Sequence, residues 1–142
     1  MAASSLHLLG GGEVMGQRYR HPVQPRQLRT VFLAAAIDHH WLNPGERFGQ
    51  ALCATDSLLN VRNQRDKALM LYCLRKPLGR RALAISGITS SDRAALGWRN
   101  SRVKEVDVSR QVGRGHIMLR YAAQPQLAQL ILPSLLVENR QP

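Results

Sequence analysis

Apolar positions along this chain change their spacing from stretch to stretch, and each spacing predicts an element. From Gln27 to Trp41 the residues Leu28, Val31, Phe32, Ala35 and Ala36 recur at helical intervals, and Pro44-Gly45 stops the segment, which predicts a first amphipathic helix. Beyond Pro44, Phe48, Leu52, Thr55 and Leu59 fall on one face of a second helix that ends near Asn60 to Asn63. Asp66 to Arg75, DKALMLYCLR, is apolar through its centre and fits a buried strand or an inner helix; its Ala, Leu and Met content favours helix. Lys76-Pro77-Leu78-Gly79 would terminate it. Arg80 to Ser86 follows as a short helix or strand closed by Gly87, and Ser90-Ser91-Asp92 offers an N-cap for a short helix running to Leu96. Gln124 to Val137, with Leu127, Leu130, Ile131, Leu135 and Leu136, predicts a C-terminal helix interrupted by Pro133.

The stretch Trp98 to Tyr121 has a different period. Lys104, Val106 and Val108 alternate with Glu105, Asp107 and Ser109, and Ile117, Leu119 and Tyr121 alternate with His116, Met118 and Arg120. Two such strands around Gly113 and Gly115 predict a β-hairpin. Setting Ser109 opposite His116 places Val108 on Ile117, Val106 on Leu119 and Glu105 on Arg120, so one register suits both faces. The loop tip then carries Arg110 and Arg114, and the root carries Trp98, Arg99 and Arg102.

The expected organisation is a flexible basic arm over residues 1–27 and a single α+β domain over 28–142: a helical N-terminal half, then the hairpin, then a C-terminal helix. Met1 to Thr30 has one acid, Glu13, among Arg18, Arg20, Arg26 and Arg29, and is punctuated by Pro22 and Pro25. The sequence Gly87, short helix, hairpin resembles a winged helix-turn-helix, with Ser90 to Trp98 as the groove-entering segment and the hairpin as wing. No aromatic-rich strand of the RRM kind is present.

Charge adds a partner to this outline. Twenty Lys and Arg against nine Asp and Glu give a net charge of +11, an excess that suits a polyanion. Seventeen of the cations are arginines, whose planar fork fits phosphates and base edges, although a GC-rich genome also favours Arg over Lys. The residues expected to contact nucleic acid are Arg80, Arg81, Arg93, Trp98, Arg99, Arg102, Lys104, Arg110 and Arg114, with Trp98 as a stacking platform. Cys53 and Cys73 lack paired CxxC spacing, so they predict neither a zinc site nor a disulfide scaffold. No apolar run reaches the length of a membrane span, and a cytoplasmic location is expected. An acid-poor start containing Arg and Ser is also compatible with an organellar transit peptide, but Gly10-Gly11-Gly12 interrupts it.

Candidate chemistry centres on His116. Beside Arg114, Arg120 and Tyr121 it has the make-up of a metal-free ribonuclease site, with the histidine as acid/base and the arginines against phosphorane charge. Such a site needs a second acid/base group. Asp38-His39-His40, with His21, invites a metal reading, yet adjacent histidines on a helix diverge by about 100°. No metal or cofactor is expected, and no GxSxG, Walker loop, GxGxxG or HExxH is present. The expectation is a non-enzymatic nucleic-acid-binding protein, for DNA or RNA, serving as a subunit or accessory factor of a nucleoprotein assembly. The alternatives are the His116 nuclease and an interaction protein with an acidic protein partner.

Overall fold

Leu58, Leu59, Asn60 and Val61 are all buried, and they form the centre of a strand rather than one face of a helix. In the computed structural model, which describes residues 2–20, 28–75 and 80–136, this strand, β4 (Ser57–Arg62), lies between β3 (Arg29–Leu33) and β5 (Val103–Asp107) in a three-stranded sheet of order β3-β4-β5. Both pairings are parallel, with Val31 opposite Leu59 and Leu59 opposite Lys104. A central parallel strand is covered on both faces, so it loses the alternation that marks a half-exposed strand. Its Leu58-Leu59-Asn60-Val61 core is buried throughout and shows no two-residue period, so the spacing of Phe48, Leu52, Thr55 and Leu59 mimics a helix, and the two helices expected over 27–41 and 45–60 are replaced accordingly. Thr30-Val31-Phe32 suits the pleat of β3. The rest shortens to single 3-10 turns at His39–Leu42 and Ala51–Cys53.

Alternation survives in how the strands divide the core. Phe32, Leu58 and Val103 face one layer, packed with Leu42, Leu52, Leu83 and Leu96. Leu59 and Val61 face the other, with Val31, Leu33, Val106, Val108 and Leu127. Helix α1 (Ala2–Leu9) contributes Ala3 and Leu6 to the first layer, so this part of the expected arm is packed structure, and β1 (Glu13–Val14) and β2 (Gln17–Arg18) form a small hairpin after it. The remainder of the arm, with His21, Pro22, Pro25 and Arg26, lies outside the described residues, as do Lys76 to Gly79.

The architecture is mixed α+β, and several elements fall where their sequence places them. Asp66 caps α2 (Lys67–Met70), which continues as a 3-10 turn to Arg75. Helix α3 (Leu83–Ser86) closes at Gly87. A Cβ on that glycine would lie 2.4 Å from Arg62 and 2.7 Å from Glu105, and its φ of +67° is strained for any other residue. Helix α4 (Ser90–Leu96) begins one residue earlier than expected, on a capping box of Thr89 and Asp92. Helix α7 (Pro125–Leu135) runs through Pro133 and covers the second layer.

The hairpin over Trp98 to Tyr121 does not form. Its first strand is β5, but β5 pairs with β4; Ser109–Val112 is a one-turn helix, α5, and Met118–Ala122 is a helix, α6. Of the alternating Ile117, Leu119 and Tyr121 only Tyr121 is buried, so that alternation marks no strand face. Glu105 meets Arg93 at 2.7 Å and not Arg120. The residues assigned to a wing are therefore strand, turn and helix of the sheet's own framework.

Candidate active site

Parallel strands end at the same edge of a sheet, so the loops following β4 and β5 lie side by side although about fifty residues separate them. Backbone and side chain stitch them together: the Val108 N–H donates to the Arg62 carbonyl at 2.9 Å, and the Gln64 N–H donates to the Ser109 hydroxyl at 2.8 Å. Asp107 anchors this edge through the Ser109 hydroxyl, Gln64 and Arg62. Burial raises its pKa, but these hydrogen bonds and the Arg62 charge outweigh that and hold it below the usual carboxylate value.

Within that edge, Asp66 and His116 meet. The Asp66 carboxylate is fully buried; Oδ1 accepts the Leu69 N–H at 3.1 Å, and Oδ2 lies 2.7 Å from Nδ1 of His116. The imidazole itself is 47% exposed. A carboxylate in that position accepts from Nδ1–H, which leaves Nε2 as the basic nitrogen. Among the described residues, no hydrogen-bond partner occupies Nε2. Asn63, also fully buried, donates to the Gly113 carbonyl at 2.9 Å and to the Tyr121 hydroxyl at 3.4 Å, while its own carbonyl accepts from the Arg65 N–H at 3.0 Å. Burial pushes the Tyr121 pKa up; the Asn63 amide lowers it, and the adjoining Asp66 carboxylate raises it further.

A second histidine–aspartate pair differs in burial and in partners. His39 Nδ1 lies 2.6 Å from Asp92 Oδ2, but that ring is only 14% exposed, and Asp92 also accepts from the Asn43 amide and from the Thr89 backbone and hydroxyl. Burial raises the Asp92 pKa and these hydrogen bonds more than reverse the effect, bringing it to about 2 from 3.8. It joins the His39 turn to the cap of α4. A carboxyl with a depressed folded-state pKa stabilises above its unfolded value and loses that contribution as pH falls through the folded one. We expect about 2 kcal/mol of stability to disappear between about pH 4 and pH 2, and Asp92→Asn to remove it at neutral pH. Thermal melts of both proteins across that range check this; a variant whose stability matches the parent at pH 7 would refute it.

The residues expected to bind nucleic acid are dispersed. Trp98, 63% exposed, gathers Arg102 at 4.6 Å and Arg99 at 5.4 Å from its ring centroid, and the Arg102 guanidinium also donates to the Leu52 and Thr55 carbonyls. Arg93 is held by Glu105 and Asn100. Arg80, Arg81, Lys104, Arg110 and Arg114 are exposed. Lys104 and Arg29 border a hollow of about 260 Å³ at the start of the strands, whereas Arg110 borders one of about 670 Å³ at their far end with Arg65 and Asp107. Only Trp98, Arg99 and Arg102 form one cluster.

Around His116 the sequence expectation is partly redrawn. Tyr121 is buried beneath the site, Arg114 is exposed on the turn, and Arg120 lies so close to Gly115 that a Cβ there would come within 2.7 Å of it. The group that sequence reasoning missed is Asp66, read as the start of an apolar helix; nothing local to it separates a helix-capping Asp from the partner of a distant histidine. His39 and His40 do not share a site: His40 lies 3.7 Å from Glu46, and no three His, Cys, Asp or Glu side chains cluster for a metal among the described residues. No helix among them is long and apolar enough to cross a membrane. No protein-family model, curated protein or solved structure matches the chain, and its function has to be read from this geometry.

Proposed function

We propose that the chain supplies the acid/base machinery of an ester hydrolase, with His116 as general acid/base and Asp66 as the residue that orients it and balances its charge. The observation that carries this reading is the buried Asp66 carboxylate 2.7 Å from Nδ1 of a half-exposed imidazole. Nε2 takes a proton from the attacking hydroxyl, of water or of a nucleophilic side chain, as that oxygen bonds to the acyl carbon; Asp66 stabilises the imidazolium, which then returns the proton to the leaving oxygen. The order acid, then histidine, after successive parallel strands is also the order in α/β-hydrolases, an analogy of arrangement that supports the reading. Cys53 and Cys73 are free thiols and suit a reducing compartment such as the cytoplasm. Hydrolysis of p-nitrophenyl acetate by the parent and by His116→Ala tests the proposal, with RNA as a parallel substrate: ester cleavage lost with the imidazole supports it, cleavage indifferent to the substitution overturns it, and His116-dependent cleavage of RNA alone transfers the site to phosphodiesters.

A second reading is supported by the Trp98 cluster. An exposed indole flanked by two guanidinium groups, on a chain of net charge +11, suits stacking on a single-stranded base. We infer nucleic-acid binding there, in the setting of a larger nucleoprotein assembly. Log affinity for a single-stranded oligonucleotide is expected to fall linearly with log salt, and Trp98→Ala to weaken binding about tenfold. Binding that ignores salt counts against it.

A further inference from the structure

We propose that Asn63 and Tyr121 are positioning residues that lock the Asp66 carboxylate against the His116 ring; this rests on the reading of His116 as an acid/base. The two members of the pair sit on loops from different strands, so their 2.7 Å contact holds only if the loops are tied. Asn63 is the tie. It is fully buried, its carbonyl turns the acid loop through the Arg65 N–H, and its NH₂ crosses to the Gly113 carbonyl, three residues before His116.

Tyr121 completes the lock from the other side. It stands on α6, five residues after His116, is 2% exposed, and its hydroxyl accepts from the Asn63 amide at 3.4 Å. It thereby holds the amide that ties the acid loop to the turn before His116. A buried carboxylate is tolerated when donors face it, and the Leu69 N–H and His116 Nδ1 do so from two separate segments. Loss of the hydroxyl releases the Asn63 amide, which loosens the joint between the two loops and so the alignment of Asp66 with Nδ1, without touching Nε2.

The test is the proton between His116 Nδ1 and Asp66, observed as a low-field NMR resonance in the full chain. In Tyr121→Phe its exchange with water should rise at least about tenfold, and kcat for p-nitrophenyl acetate should fall about tenfold at unchanged KM. Val112→Ala, a cavity in the same apolar layer with no polar link to the pair, is the comparison for lost stability alone and should leave exchange as in the parent. Unchanged exchange in Tyr121→Phe, or an equal rise in Val112→Ala, overturns the proposal. If the parent cleaves no ester, the hydrolase reading fails while the exchange measurement still decides the positioning role.

Discussion

Asn in place of Asp66 is expected to lower ester hydrolysis about 10⁴-fold, nearly as far as removing His116 outright, with the fold retained. The reason lies in how the carboxylate is divided. Oδ1 is committed to the Leu69 N–H at the cap of α2, and Oδ2 alone faces His116. An asparagine must keep its carbonyl toward Leu69, because its NH₂ cannot accept, and so it turns the NH₂ toward Nδ1. That nitrogen becomes an acceptor, the ring proton moves to Nε2, and the basic nitrogen no longer faces the attacking hydroxyl. Kinetics give the loss, and ¹⁵N shifts of the imidazole give the tautomer. Activity within about threefold of the parent would remove Asp66 from the mechanism.

Glu105→Ala is expected to be the most destabilising change at a charged position, costing about 3–5 kcal/mol. Its carboxylate is 11% exposed and closes three separate groups: the Arg93 guanidinium at 2.7 Å, the Asn60 amide at 2.9 Å and the Ile88 N–H at 3.0 Å. Truncation strands the Ile88 N–H and leaves the buried Asn60 amide only the Leu83 carbonyl at 3.4 Å, and a stranded partner costs more than the lost bond itself; Arg93, 40% exposed, keeps Asn100 and solvent. Arg120→Ala, at an exposed position, should change stability by less than about 0.5 kcal/mol. Urea denaturation separates the two. Equal losses would mean that Glu105 and Arg120 are partners after all, and that β5 is not laid parallel to β4.

Local signals and local structure agree where an element is decided by its own neighbours. The Asp66 cap and the Ala-Leu-Met run make α2, Thr89 and Asp92 make α4, and Pro125 with its Leu and Ile spacing makes α7; each is readable within a few residues. The alternation of 104–109, read as a strand over 102–110, marks β5 at Val103–Asp107, and His116 with Tyr121 stands out as candidate chemistry. What fails is pairing. A hairpin register between 102–110 and 116–121 satisfies every local rule, yet the backbone of β5 bonds instead to β4, some forty residues upstream.

By itself, then, the sequence determined the mixed α+β class, the helices α2, α4 and α7, and one strand of the three-stranded sheet, because capping, periodicity and turn chemistry act between residues close in the chain. The tertiary structure alone decided that Ser57–Arg62 is a central strand and that Asp66 is the partner of His116. A strand buried on both faces carries no period to read. The ladder that brings two loops to the same edge is set by long crossovers and by packing on both sides of the sheet, and none of these leaves a mark at Asp66.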